Sequence, residues 1–237
     1  MTKRSGRLYG PWFTFLPSLS GFLKDLVWPE HAVCRACGRV SQGEVLCRAC
    51  AEQLRADGTM YAWTREDLAP GLSAWTLRPH TGIARQLVIQ LKHQAEACLA
   101  DVLADLMLPL PAYPVFPPDT VVTWVTMPKS RRRERCIDHG RLLAEAVARR
   151  LNLPCRQLLL RRETHSRRQA SLNRKQRQKN LQHAFSPAAE ISFPVLLVDD
   201  VLTTGTTALR CAEALREGGA REISVLTVTR ATGSRGV

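Results

Sequence analysis

No stretch of this 237-residue sequence is apolar for long enough to cross a membrane. The most apolar segment near the start, residues 11–28, is interrupted by Pro17, Ser18, Ser20, Gly21, Lys24 and Asp25. Lys3, Arg4 and Arg7 precede it as in a secretory signal, but no small-residue cleavage site follows cleanly. A leader in the form of a short amphipathic helix packed on a domain is the expectation for residues 1–28. Acidic residues are in deficit: 21 Asp+Glu stand against 34 Lys+Arg, a formal net charge of +13. That imbalance favours polyanionic partners, either nucleic acid or heavily phosphorylated small molecules. There are no internal repeats. His80, His93, His139, His165 and His183 have no metal-ligand spacing to one another and read as polar groups at the surface or backing a site. With 45% hydrophobic and 23% charged residues, the composition is that of an ordinary soluble protein, long enough for one α/β domain and a small appendage.

Nor is there the even spread of cysteines that a disulfide framework needs. Of eight cysteines, four cluster as Cys34-x2-Cys37 and Cys47-x2-Cys50, while Cys98, Cys136, Cys155 and Cys211 are scattered. Each CxxC turn aims two thiolates at one point, and a zinc ion takes four in a tetrahedron. Two disulfides or a redox pair are the alternatives. A redox CxxC usually stands alone at a helix start in a βαβ unit, whereas here two pairs occur without one. The expectation is a zinc-ribbon-like module over residues 29–58, ending in a short helix at 49–55, in a reducing cytoplasm. So small a segment has little core, and the metal would supply most of its folding energy.

From residue 72 onward, strand-like and helix-like runs alternate. Residues 72–77 suit a strand. Ile83, Leu87 and Leu91, then Leu99, Val102, Leu103 and Leu106, recur at helical spacing. A proline-rich loop at 109–118 ends that block, and residues 121–125 suit a buried strand. A helix over 139–151, strands at 156–160 and 195–198, a helix over 206–217 stopped by Gly218-Gly219, and a strand at 223–229 complete the pattern. Such alternation implies a mostly parallel sheet with crossover helices over residues 72–232, in which ligands bind outside the carboxyl ends of the strands.

One such end is rich in chemistry. The run Val195 to Val198 is continuously apolar, as a strand covered on both faces should be. Asp199 and Asp200 follow it, then Thr203, Thr204, Gly205, Thr206 and Thr207 at the start of a helix. Free N–H groups and the positive end of the helix dipole make this turn a phosphate cradle. Carboxylates beside it make sense as acceptors of ribose hydroxyls. Cys211 falls with Ala208, Ala212 and Leu215 on the helix's core face.

The segment VLLVDDVLTTGTT resembles the phosphoribosyl-pyrophosphate (PRPP) motif of type I phosphoribosyltransferases. The wider chain, from about Cys34 to Arg230, resembles the ComF family, which joins a four-cysteine module to that Rossmann-like α/β fold. The order is CxxC…CxxC, LKH at 91–93, VTMPKSRRRER, RRQASLNRKQRQKNLQHAF and the PRPP motif. The resemblance implies that Asp199 and Asp200 bind the ribose 2′- and 3′-hydroxyls and that Thr203, Thr204, Gly205, Thr206 and Thr207 wrap the 5′-phosphate. It implies a pyrophosphate loop at Met127, Pro128 and Lys129 assisted by Arg132 and Arg135, a basic hood over 161–179, and Mg²⁺ accompanying PRPP. Lys92 lies on a helix beside the core, within reach of the ligand. ComF relatives usually carry an Arg-Gly-Phe-Asn-Gln-like stretch where this chain has Arg135-Cys136-Ile137-Asp138-His139, so the glycine and the amide are missing. Purine-salvage members of the fold commonly place an acid at the position of Thr203, and threonine is no general base, which argues against a hypoxanthine or guanine acceptor.

Basic residues exceed what one PRPP requires: Arg131 to Arg133 and Arg135 in one run, Arg161, Arg162, Arg167, Arg168, Arg174, Lys175, Arg177 and Lys179 in another. A solvated surface is the ordinary reading of such charge runs, but around a phosphate pocket the excess could also draw single-stranded nucleic acid, single-stranded DNA included. With only Phe185 nearby, its contact would run along the backbone rather than through base stacking. Three readings follow. One is a cytoplasmic ComF-type protein serving natural competence, through DNA uptake or use, alongside the uptake machinery. A housekeeping phosphoribosyltransferase (a pentosyl-transferring glycosyltransferase) acting on an unidentified base is another, and a non-catalytic PRPP-sensing regulator of nucleic acid is the third.

Overall fold

The computed structural model describes residues 33–41, 43–56, 64–94, 97–108, 115–127, 138–161 and 184–231. By backbone contacts the chain divides into residues 1–48 and 49–237. The expected leader, most of the basic hood, and Pro128, Lys129, Arg132 and Arg135 lie outside the described residues.

In the smaller unit, an antiparallel bridge between Val33 and Val40 closes a tight turn. Within it Cys34 N–H donates to Arg39 O (2.7 Å) and Gly38 N–H to Cys34 O (2.8 Å), the geometry of a CxxC knuckle. A helix, α1, runs over Arg48–Ala56.

The larger unit is built on strands β1 (Thr64–Ala69), β2 (Leu72–Pro79), β3 (Val121–Trp124), β6 (Val195–Leu202) and β7 (Ile223–Arg230) in the order β1-β2-β7-β6-β3. A second, two-stranded sheet pairs β4 (Leu159–Arg161) with β5 (Phe185–Pro187). The β2–β7, β7–β6 and β6–β3 pairs are parallel, and β1 adds an antiparallel edge to β2. Helices α2 (Gly82–Gln94), α3 (Ala97–Met107), α4 (His139–Leu151) and α5 (Thr206–Glu217) supply the connections. Among the described residues no helix is long and apolar enough to cross a membrane.

The period of two along a strand divides the core. Val195 and Leu197 join Leu72, Ala74, Val121 and Val225 in one cluster, closed by Ala208, Cys211, Ala212 and Leu215 of α5 and by Leu159 and Phe185. Leu196 and Val198 are buried on the other face, which α2, α3 and α4 cover through Leu87, Leu91, Leu99, Leu103, Leu143 and Val147. Burial on both faces explains the unbroken apolar run of β6. Cys211 is fully buried there, and burial foremost pushes its thiol well above the ordinary range, which fits a packing role.

Three differences from the sequence expectations matter. First, β6 runs to Leu202 and not 198, because β7 pairs with it along its whole length. Second, β1 is a strand the apolar pattern misses: TREDLA offers only Leu68 and Ala69, and it forms by folding back on β2 over Pro70-Gly71, where Gly71 takes φ +68. Third, the expected strand at 156–160 is split, with Cys155 bridging to Val122 and only 159–161 forming β4.

The stop after α5 is steric as well as conformational. Gly219 has φ +99, and a Cβ there would stand 2.7 Å from the backbone oxygen of Ile191. Gly219→Ala is therefore expected to cost about 2 kcal/mol or more, read as a lowered melting temperature.

Candidate functional site

Because β6 stays paired through Leu202, Asp199 and Asp200 stand within the strand and point to opposite faces. Asp199 shares the α5 face with Val195 and Leu197, while Asp200 shares that of Leu196 and Val198, toward α2 and α4. The contacts agree. Lys92 Nζ of α2 lies 2.9 Å from Asp200 Oδ1, and His139 Nε2 of α4 lies 3.2 Å from Oδ2. Asp199 Oδ1 accepts the backbone N–H of Asp200 at 2.9 Å.

These surroundings push the two carboxyls apart. Burial, then the adjacent charge of Asp200, raises Asp199 from 3.8 to about 7, against the opposing N–H of Asp200 and the Lys92 ammonium. Burial acts upward on Asp200 as well, but the His139 hydrogen bond and Lys92 outweigh it and hold Asp200 below its ordinary value. Near neutrality the site therefore holds one firm carboxylate and one carboxyl poised to titrate.

His80, at the carboxyl end of β2, completes the rim. Its Nδ1 is 2.8 Å from Thr229 Oγ1, whose hydroxyl reaches Asp200 O at 3.4 Å. Burial, with Lys92 and Arg85 adding to it, lowers the pKa of His80, while Asp200 opposes the shift.

The loop after β6 has the form of an anion cradle. Thr203, Thr204, Thr206 and Thr207 are exposed around a buried Gly205 at φ +75. The left-handed backbone at Gly205 favours glycine, and a Cβ there would meet Leu68 Cδ2 at 2.9 Å and displace that side chain. Gly205 is the N-cap of α5 and contributes no side-chain cap. The Thr204 hydroxyl is 2.9 Å from that of Thr206 and 3.5 Å from its N–H. Apart from that long contact from the Thr206 N–H, the N-cap supplies no side-chain acceptor, and the start of α5 is open to an external one.

At the end of β3, Trp124 Nε1 donates to Asp138 Oδ2 (3.2 Å), and Arg141 N–H donates to Asp138 Oδ1 (3.3 Å). Asp138 is thereby the N-cap of α4. Where the family pattern has an asparagine and a glutamine, this chain uses an aspartate to cap and a histidine to reach Asp200. Met127, half-buried, is the described part of the expected pyrophosphate loop. Sequence reasoning left His139 among the scattered histidines. The signal that would have found it is its place as first residue of a helix directly after a capping aspartate.

In the cysteine module the Sγ atoms of Cys34, Cys37, Cys47 and Cys50 all lie within 4.8 Å of one another, a cluster able to hold a metal ion. The Cys37–Cys47 separation is 3.7 Å, far beyond a disulfide bond. It is close to the edge of a tetrahedron whose centre lies about 2.3 Å from each sulfur, about 3.8 Å. The donor set therefore fits zinc, with Cys34 and Cys50 buried and Cys37 and Cys47 more open.

Residues 136–236 match the phosphoribosyl transferase domain family. The chain folds as a type I phosphoribosyltransferase. Competence protein F of Haemophilus influenzae is 37% identical over 105 residues, covering 43% of this chain and 46% of that protein. The match thus spans less than half the length of the curated relative. The domain match, this relative and the four-cysteine cluster fit a ComF assignment. Among solved structures, the glutamine PRPP amidotransferase from B. subtilis complexed with ADP and GMP is 19% identical, covering 58% of this chain and 30% of that one, with a TM-score of 0.40. Orotate phosphoribosyltransferase from Aeropyrum pernix is likewise 19% identical, covering 62% and 76%, with a TM-score of 0.35.

Proposed function

We propose that this ComF-like chain binds PRPP together with Mg²⁺ and serves DNA uptake or use in natural competence, in the cytoplasm. The observation that carries the binding half is the union, at the end of β6, of two carboxylates in unlike states with an uncapped helix start. A ribose 5-phosphate offers vicinal hydroxyls for the first and an anion for the second. The name of the Haemophilus influenzae relative and the basic segments support the competence half.

Asp199 and Asp200 would orient the sugar by accepting its hydroxyls, and the threonine loop would hold its 5′-phosphate. Lys92 and His139 would keep Asp200 ionised for that task. Hard carboxylate oxygens suit Mg²⁺, which would neutralise the pyrophosphate. Should turnover occur, these residues act by position and electrostatics as pyrophosphate departs.

Calorimetry with PRPP and Mg²⁺ on the wild type and on the Asp199→Asn/Asp200→Asn double variant tests the site. A loss of at least about tenfold in affinity is expected from two weakened charge-assisted hydrogen bonds. Equal affinities would sink the assignment. Pyrophosphate release across a panel of bases then separates a transferase from a PRPP sensor, and transformation of a deletion strain tests the competence role.

A further inference from the structure

The guanidinium of Arg230 makes five hydrogen bonds beside the candidate site. Nε and Nη2 grip both oxygens of Glu66 on β1 at 2.7 and 3.0 Å. Nη1 donates to the carbonyls of Leu202 (3.2 Å) and Ala231 (3.1 Å) and to that of Thr203. Leu202 and Thr203 are the residues through which β6 passes into the threonine loop. Leu68, two residues beyond Glu66, backs the same loop at Gly205. The antiparallel edge strand thus touches the loop by two routes, one polar and one apolar.

As a stability element this pair should do little. Glu66 and Arg230 side chains are 40% and 29% exposed, and partly exposed ion pairs contribute little net stability. Its consequence is orientational. In a planar trans peptide the carbonyl and the following N–H point in opposite directions. The Leu202 carbonyl also accepts the Ala231 N–H (2.9 Å), so Arg230 bears chiefly on the Thr203 carbonyl; with that carbonyl turned to Arg230, the N–H of Thr204 faces away from it. The same contact removes a partially negative oxygen from the approach of an anion.

We propose that Arg230, braced by Glu66, is a positioning residue that holds the loop with its amides toward the 5′-phosphate of a ribose 5-phosphate ligand. This rests on the ribose-phosphate reading of the site. Lysine cannot replace the fork, because a single ammonium does not span a carboxylate and several carbonyls in fixed directions.

The test uses the full chain and two measurements. Calorimetry is run with ribose 5-phosphate and, separately, with magnesium pyrophosphate. Amide hydrogen exchange is followed in the ligand-free protein. Arg230→Met is expected to weaken ribose 5-phosphate about tenfold or more, leave magnesium pyrophosphate unchanged, and speed exchange at residues 203–205 but not in the centre of β6. Arg230→Lys should recover part of the loss, and Glu66→Gln should reproduce the same selective pattern more weakly. Unchanged ribose 5-phosphate affinity, or equal loss for both ligands, overturns the proposal. If Arg230→Met does not fold, Glu66→Gln decides: a uniform loss or none overturns it. A wild type that binds no ribose 5-phosphate overturns the ribose-phosphate reading itself, and the exchange comparison still decides whether Arg230 holds the loop.

Discussion

Cys34→Ser or Cys50→Ser is expected to abolish stoichiometric metal binding and to unfold the N-terminal module, while the α/β unit keeps a cooperative melting transition. The four sulfurs already converge within 4.8 Å, so the metal would meet a preformed donor set. Apart from its cysteines, the module's described residues bury little: Ala36, Ser41 and Leu54 are inside, whereas Val33 and Val40 are open to solvent at 44% and 77%. A segment with so small a core depends on its metal, and structural zinc contributes about 10–16 kcal/mol of apparent binding free energy in small modules of this kind. Losing one thiolate removes a large share of that. The α/β unit, by contrast, has a core clamped on both faces of its sheet. Metal content of protein purified without chelators gives the primary answer, and cobalt substitution would show the absorption of a tetrahedral thiolate site in the wild type and not in the variants. Purified wild type with no stoichiometric zinc or iron would refute the zinc reading.

The second large effect lies at Asp199. Below pH 3.8 its carboxyl is protonated in folded and unfolded chains alike. Between 3.8 and about 7 the folded protein retains a proton that the unfolded chain has released, so stability falls as pH rises through that window. Above about 7 the folded state carries the whole burden of a half-buried charge beside Asp200. At about 1.36 kcal/mol per pH unit, the interval from 3.8 to about 7 corresponds to about 4 kcal/mol as an upper bound. Asp199→Asn, which keeps the shape and abolishes the charge, should therefore raise the melting temperature at pH 8 and leave it nearly unchanged at pH 4. Asp200 works in the opposite sense. Held below its ordinary value by His139 and Lys92 against burial, it contributes stability above pH 3.8, which is lost as pH falls through its lower folded value. Asp200→Asn should accordingly lower the melting temperature at neutral pH, since Lys92 and His139 lose their anion. Melting curves of both variants from pH 4 to 8 distinguish the two. Similar behaviour of the two variants would show that the carboxyls are not held apart as described. The variant that gains stability at pH 8 is also one expected to bind PRPP poorly, the trade expected of a group kept for function.

Local patterns in the chain sufficed for much of this. The helix bounds at 139–151 and 206–217 emerge unchanged, because each has an apolar stripe and a definite end: Asp138 before the first, Gly218-Gly219 after the second. The continuous apolar run of β6 correctly implied cover on both faces, and the paired CxxC spacing alone brought four sulfurs to one point. TREDLA was illegible because its reason to be a strand is its partner, β2, and not its own composition.

By itself, then, the sequence determined the alternating α/β architecture, the cysteine cluster and the segment that bears the site, since each rests on residues near one another in the chain. Only the tertiary structure decided which side chains meet there. Glu66 and Arg230 are separated by 164 positions, and Lys92, His139 and Asp200 come from three elements. Sheet order and helix packing bring such groups together, and no local periodicity records them. The unlike states of Asp199 and Asp200 were likewise decided by the fold. Two identical residues on one strand differ because alternation sends one toward Lys92 and His139 and leaves the other half-buried without a cation of its own.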